Sequence, residues 1–308
     1  MISFLKLIRY KNLLMVLLTM VLTKYALLNT SINIKLLSCL HFIILSISIL
    51  SITAAGYVIN DIFDVKTDTI NKPQKLIIRT KISIKKGEFI YQILNVIGVI
   101  CGLYISFTLE KINVAFVFFL SILGLYYYSK KLKQVALIGN LLIAFLVSLT
   151  IIIVFLFDAY SFHKKDSIIQ ALHNFFYSSS VGLKVFSYAL FAFVITFLRE
   201  IIKDIEDMNG DYAANMKTLP ILIGSKRTNT FVLVLSSLFF IILLYTIKEL
   251  IHYKVLFYYG VIFIVIPFAY FLFKLKFANS KIHYHYLSQL LKIIMFFGIL
   301  SMLLFKFI

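Results

Sequence analysis

Apolar residues run in long blocks along the whole chain, separated by short polar stretches. A helix needs about 20 mostly apolar residues to cross the hydrocarbon core of a bilayer. Nine segments qualify, at about 12–29, 36–60, 89–109, 112–129, 135–157, 181–201, 230–247, 255–273 and 288–306. The pattern predicts an all-α polytopic membrane protein. Glu110-Lys111 alone joins the third and fourth segments, which predicts a tight hairpin, and the Ser- and His-bearing stretch 158–180 reads as a polar loop. Lys6, Arg9 and Lys11 precede the first apolar block, but no small-residue cleavage pattern follows, so a retained first helix is expected rather than a signal peptide. No linker or low-complexity tract divides the chain, and residues 1–308 read as one transmembrane domain.

Charge orients these spans. With the N-terminus inside, the segments 1–11, 61–88, 130–134, 202–229 and 274–287 are inside and hold 20 of the 31 Lys and Arg residues, whereas the outside segments hold 7. Cytoplasmic loops are enriched in Lys and Arg. The bias predicts a cytoplasmic N-terminus and an outside C-terminus.

Composition agrees: 61% of the residues are hydrophobic and only 14% charged, against about 25% charged in soluble domains. The net charge of +18 invites a nucleic-acid reading, but the bases sit in short loops between spans, so no nucleic-acid partner is expected. Cys39 and Cys101 fall in apolar segments and form neither a metal spacing nor a disulfide framework. The Ile- and Lys-rich composition suggests AT-rich coding DNA and a bacterial inner membrane.

The acids change the picture. Eight of the thirteen Asp and Glu residues lie in two short clusters, 60–68 and 199–211. Carboxylates are costly in or beside a bilayer and mark a functional site by default. Asp61, Asp64 and Asp68 stand at i, i+3 and i+7, and so do Asp204, Asp207 and Asp211. On a helix this spacing puts three side chains on one face. Both clusters follow an apolar span on the side read as cytoplasmic. Mg²⁺ takes oxygen ligands and is often held by one or two carboxylates plus substrate phosphates. Lys66, Lys72, Lys75 and Arg79 follow the first cluster, and Arg199 and Lys203 accompany the second. Carboxylates, metal and bases together suit a diphosphate, and its position at the mouth of an apolar bundle suits a lipid-tailed one, an isoprenyl diphosphate. Departure of the diphosphate would leave an allylic cation, which aromatic faces stabilise. Tyr126-Tyr127-Tyr128, followed by Lys130, Lys131 and Lys133, is one candidate for that role; an interfacial aromatic belt with snorkelling lysines is the other reading.

At these residues the chain resembles the UbiA superfamily of intramembrane prenyltransferases. The family's N-D-x-x-D-x-x-x-D motif is matched by Asn60, Asp61, Asp64 and Asp68. The usual N-R-P that follows is Asn71-Lys72-Pro73, so Lys replaces Arg and the bidentate fork is lost. The second Asp-rich motif is matched by Asp204, Asp207 and Asp211, with Thr218-Leu219-Pro220 and Gly224 downstream. A Tyr-x-x-x-Lys element is met by Tyr127 and Lys131 or by Tyr126 and Lys130, with Lys133 an alternative counterpart, and Gly139-Asn140 is also family-like. The resemblance covers about residues 5–305. It implies nine transmembrane helices around a central cavity, capped by two Asp-rich cytoplasmic loops. It also implies Mg²⁺-dependent transfer of a prenyl group from a polyprenyl diphosphate to a lipid or aromatic acceptor. The wording of the second cluster is similar to the digeranylgeranylglyceryl phosphate synthase branch, whose acceptor is geranylgeranylglyceryl phosphate. Quinone-precursor prenyltransferases are the alternative.

The resemblance implies that Asn60, Asp61, Asp64 and Asp68 hold one Mg²⁺ and Asp204, Asp207 and Asp211 a second, with Asp64 and Asp207 indispensable. Asn60, Lys72, Lys75, Arg79, Arg199, Lys203 and Lys133 are then expected around the diphosphate, and Tyr127 and Lys131 at the leaving group. His283 and His285, two apart, do not share a helix face and are expected at the surface. A membrane cation transporter is the rival from another class, though such sites usually lie near the midplane on broken helices.

Overall fold

A computed structural model describes residues 2–28, 37–71, 73–110, 112–159 and 180–307, excepting the side chains of 75, 113, 159, 180, 306 and 307. Among them the chain is helical throughout, with isolated bridges but no strand. The short helix α1 (Ile2–Leu7) leads through Arg9, in the left-handed region, into α2 (Tyr10–Leu22), which continues as a π-helical turn, Thr23–Leu28. Then come α3 (Cys39–Phe63), α4 (Val65–Asn71), α5 (Ile84–Thr108), α6 (Ile112–Lys130) and α7 (Ile138–Ala159). The second half comprises α8 (Ser180–Ala213), α9 (Leu219–Ile223), α10 (Ser225–Glu249), α11 (Lys254–Gly260), α12 (Ile266–Lys276) and α13 (Lys281–Leu300). A π-helical turn, Val261–Val265, joins α11 to α12, and a 3-10 turn, Ser301–Phe307, ends α13.

Among the described residues, eight helices are long and apolar enough to cross a membrane, against the nine expected. The fourth expected span is α6, 19 residues long, which follows the Glu110 turn, where φ is +57°. The outward faces carry what lipid requires: Ile100, Leu120 and Ile241 are each more than half exposed. In water such a belt would be an association surface.

Serines start the helices. Ser38, Ser83 and Ser280 each accept the backbone N–H three residues on, from His41 at 3.1 Å, Lys86 at 3.3 Å and His283 at 3.3 Å, satisfying an orphan donor of the first turn. The early start of α13 at Lys281 matters for the site, because 281–287 was expected as loop.

The larger correction concerns the two clusters. They are helical rather than loops. Asp64 caps α3, yet its N–H still bonds Asn60 O at 2.9 Å and its own carbonyl accepts from Asp68 N at 2.8 Å, so the α3–α4 junction is a bend. α8 runs 34 residues and does not break until Asn215, where φ is +57°. At 1.5 Å per residue it is about 51 Å long, more than a hydrocarbon core of about 30 Å requires.

Two apolar cores flank the interior. One joins α2, α3, α6 and α7 to the start of α8 and the end of the chain, through Met20, Leu45, Phe118, Val154, Val185 and Met302. The other joins α8, α10, α12 and α13, through Leu198, Val232, Phe268 and Leu291. Of the four bases expected within spans, Lys24 is buried and donates to the carbonyls of Leu37 and Ser38, and Lys184 lies over the Phe305 ring at 4.8 Å. The other two, Arg199 and Lys292, face a cavity.

Candidate active site

A cavity of about 800 Å³ lies between the cores. Each helix that lines it presents polar residues at one end and apolar ones beyond. On α2 Arg9 and Asn12 give way to Met15 and Val16, and on the α3–α4 arm Asp68, Asp64 and Asn60 give way to Ile52 and Ile49. On α7 Asn140 is followed by Ile143 and Leu146, and on α13 His285, Ser288 and Lys292 by Met295 and Ile299. Helical periodicity alone produces these stripes, at spacings of three and four.

α8 carries two adjacent stripes. Glu200, Asp204, Asp207 and Asp211 share one, and Asn140 Nδ2 on α7 donates to Asp204 Oδ2 at 2.8 Å. Arg199, Lys203 and Glu206 share the next, which faces α13: Arg199 Nε donates to Ser288 O at 3.3 Å, and Glu206 Oε1 lies 2.8 Å from His285 Nδ1. Glu200 takes both Arg199, at 3.1 Å, and Lys203, at 2.8 Å.

Opposite α8, Asp64 is held from both sides. Asn60 Nδ2 donates to its Oδ2 at 2.7 Å, and Lys133 forms an ion pair with its Oδ1. The 3-10 turn Leu132–Gln134 brings Lys133 there. Gly139 permits the approach, since a Cβ on it would stand 2.8 Å from Lys133 Cα. Lys217 N donates to Gln134 O at 2.8 Å, tying this turn to the one after α8. Asp61 turns to Arg9, Oδ1 to Nη2 2.8 Å, and the guanidinium also covers the Tyr57 ring at 4.9 Å.

Asn60, Asp61, Asp64, Asp68, Lys133, Arg199, Lys203, Asp204, Asp207 and Asp211 therefore all line one cavity, brought there from sites far apart in sequence. Lys72 and the Lys75 side chain lie outside the described residues. Three expected residues are elsewhere. Arg79 is exposed on a turn, with φ +75°. Tyr127 is 52% exposed, and Lys131 is exposed where α6 ends. One residue of register separates Tyr127 from Tyr128, about 100° around the helix, and Tyr128 is the one lining the cavity. His285 is exposed, as expected, and at the cavity rim its Nδ1 meets Glu206. Asn71 and Glu200, from the two motif stretches, also line the cavity, as do Arg9, Asn12, Tyr57 and Lys292, which carry no site expectation from sequence. The signal lay in polar residues repeating at three and four positions inside apolar helices, as in Arg9–Asn12 and His285–Ser288–Lys292.

Among the described residues, no three of Asp, Glu, His and Cys stand close enough to hold a metal ion unaided. The donors are nonetheless of the right kind. Asp64 and Asp68 on one wall, and Asp204, Asp207 and Asp211 on the other, offer oxygen and no sulfur or imidazole. That set fits Mg²⁺, which completes its octahedron with water and substrate phosphate.

The model of the UbiA prenyltransferase family matches residues 13–299. The chain belongs to that family. This UbiA prenyltransferase is similar to the digeranylgeranylglyceryl phosphate synthase of Methanobrevibacter smithii, 34% identical over 223 residues, 72% of this chain and 70% of that one. It is also similar to the synthase of that name from Saccharolobus solfataricus, 36% identical over 177 residues, 58% of this chain and 55% of the relative. A solved structure of digeranylgeranylglyceryl phosphate synthase in membranes superposes with a TM-score of 0.61 at 25% identity, covering 98% of this chain and 96% of that one. UbiA homologues from Aeropyrum pernix K1 (TM-score 0.64, 12% identity, 91% and 94% coverage) and from Archaeoglobus fulgidus bound to GPP and Mg²⁺ (0.54, 14%, 97% and 99%) share the fold. The protein is thus an integral membrane prenyltransferase. These relatives are archaeal and lend no support to the bacterial inner membrane expected from composition.

Proposed function

We propose that this prenyltransferase moves a geranylgeranyl group from geranylgeranyl diphosphate onto the free hydroxyl of geranylgeranylglyceryl phosphate, with release of diphosphate. The supporting observation is the graded cavity, with carboxylates and bases at one end and apolar walls beyond, in a chain similar to synthases of that name. The relatives reported above do not favour the quinone-precursor alternative.

In this reading Asp64 and Asp68 hold one Mg²⁺ and Asp204, Asp207 and Asp211 a second, with Asn60 and Asn140 orienting Asp64 and Asp204. Mg²⁺ held there would supply positive charge to offset the departing diphosphate. Lys133 contributes a further charge at the same wall and Lys203 one beside it. The bond between C1 of the allylic chain and the diphosphate oxygen breaks, the acceptor oxygen bonds C1, and the hydroxyl proton passes to the released diphosphate. Tyr128 offers an aromatic face where the chain enters, and the apolar walls exclude water that would capture C1. α6 inserts as a ninth span beside the other eight, in one domain. The Asp-bearing ends of α3–α4 and α8 form a cap on the cytoplasmic side.

The test is direct. Purified protein in nanodiscs, given labelled geranylgeranyl diphosphate, Mg²⁺ and geranylgeranylglyceryl phosphate, should form the doubly alkylated ether lipid. Transfer to 4-hydroxybenzoate or dihydroxynaphthoate alone would overturn the acceptor. Cation flux in proteoliposomes with no prenyl transfer would overturn the reaction.

A further inference from the structure

The two sides of the cavity differ in charge. On the α3–α4, α7 and α8 side, five carboxylates, Asp64, Asp68, Asp204, Asp207 and Asp211, line the cavity with Lys133. On the side formed by α2, α13 and the neighbouring stripe of α8 the balance is reversed. Among the described residues, Arg9, Arg199, Lys203 and Lys292 pair with two carboxylates, Asp61 with Arg9 and Glu200 with Arg199 and Lys203. Glu206, on the same stripe, is taken by His285.

Lys292 is the pivot. It lies within the longest apolar stretch of α13, where an ammonium costs several kcal/mol unless something answers it. It pairs with no carboxylate among the described residues. Its Nζ donates instead to the neutral amide oxygen of Asn12 at 2.7 Å. Arg9, Lys11 and Arg199 are all within electrostatic reach of it, so its neighbours add to the cost. Arg199 leans the same way, bonded to the carbonyl of Ser288, one turn from Lys292 on the same face. Arg9 has Asp61, and Arg199 and Lys203 share Glu200, so the excess positive charge on this wall centres on Lys292 and the Arg199–Lys203 pair.

We infer that Lys292, Arg199 and Asn12, backed by Arg9, form a second anion site that takes the phosphate monoester of the acceptor lipid. The inference rests on the proposed reaction, in which donor and acceptor each bring an anionic group into one cavity. A diphosphate with its metal belongs on the carboxylate wall, and a phosphate monoester without metal belongs on the basic one. The acceptor's selection by its phosphate follows, because an acceptor lacking it leaves Lys292 buried with only an amide for company.

Two measurements on the full-length protein in nanodiscs of zwitterionic lipid separate this inference from the reaction. The first needs neither donor nor metal: the affinities of geranylgeranylglyceryl phosphate and of its phosphate-free alcohol are compared. The wild type should prefer the phosphate about ten-fold or more, the value of a charge-assisted hydrogen bond. Lys292→Met should erase that preference and Lys292→Arg should keep most of it. Asn12→Leu, a neutral change on another helix, should reduce it independently of how Lys292→Met folds. No preference in the wild type, or one that both variants retain, overturns the anion site. The second measurement is turnover. Lys292→Met should raise the acceptor KM far more than the KM for geranylgeranyl diphosphate, and the reverse split would hand Lys292 to the donor and overturn the inference. Phosphate-selective binding with no ether-lipid product from the wild type would remove the reaction and leave the anion site standing.

Discussion

Asn71 and Gly210 lock the two Asp-bearing arms together. The Gly210 N–H donates to Asn71 Oδ1 at 3.0 Å, while Asn71 Nδ2 donates to the Asp207 carbonyl oxygen at 2.9 Å. One amide at the end of α4 thus bridges the two α8 residues that bracket the last turn of acids. A Cβ on Gly210 would stand 2.4 Å from Asn71 Nδ2, so glycine is what allows the contact.

Gly210→Ala should therefore force Asn71 off α8, and Asn71→Ala should remove both bonds. Two hydrogen bonds are worth about 1–3 kcal/mol in holding the arms in register. Each variant should stay in the membrane at normal levels but lose about ten-fold in transfer and need more Mg²⁺ for half-maximal activity. An Mg²⁺ titration of transfer checks this. A wild-type response in Gly210→Ala would show that the clamp does not set the register.

Tyr128 and Lys133, rather than Tyr127 and Lys131, should carry the aromatic and cationic roles near the leaving group. Tyr128 and Lys133 line the cavity, while Tyr127 and Lys131 are exposed. Tyr127→Phe and Lys131→Ala should leave transfer within two-fold. Lys133→Ala should cost about 10²-fold, the scale of removing one preorganised group at developing charge, and Tyr128→Leu a smaller amount. Steady-state rates on the four variants decide between the registers.

How far the chain could be read without its structure depends on the kind of signal. The apolar blocks and the i, i+3, i+7 carboxylates survive as single-sequence patterns because each is periodic within one helix. Asn60, Asp61, Asp64, Asp68, Asp204, Asp207 and Asp211 all reach the same cavity. The Tyr126-Tyr127-Tyr128 run was ambiguous because three consecutive residues sample three faces, and only the packing of α6 on α3 and α5 selects one. Lys292 and Arg9 carry no site expectation of their own, since their meaning lies between α2 and α13, across the whole length of the chain. The polar extension of α8 read as loop because a span was judged by apolarity, while the helix runs on through Asp204–Asp211 with no breaker before Asn215.

The two cysteines give an internal test of orientation. Cys39 is exposed at the start of α3, the end opposite the Asp cluster, and Cys101 is partly buried within α5. With the acid-bearing ends cytoplasmic, a membrane-impermeant maleimide added outside sealed cells should label Cys39 and leave Cys101 unmodified. Cys39→Ser should remove the label. Labelling that appears only in inverted vesicles would reverse the orientation.

Divalent ion and carboxylate should fail together. Asp64 is fixed by Asn60 and Lys133 on one wall, and Asp207 stands on the opposite wall beside the Asn71 clamp. Asn in place of either keeps the size and removes the charge, so neither change should unfold a helix end that already tolerates polar side chains. A diphosphate between these walls needs metal to offset carboxylates it would otherwise repel. Chelation with EDTA should therefore abolish transfer by wild-type protein, and added Mg²⁺ should restore it. Asp64→Asn and Asp207→Asn should each lower transfer by about 10²-fold or more at saturating Mg²⁺. The separate variants matter because one wall alone would still hold an ion loosely. If excess Mg²⁺ rescued Asp64→Asn but not Asp207→Asn, the α8 wall would hold the essential ion and Asp64 would serve mainly to place Lys133. Equal loss in both, unrelieved by Mg²⁺, is expected if the diphosphate is gripped from both walls.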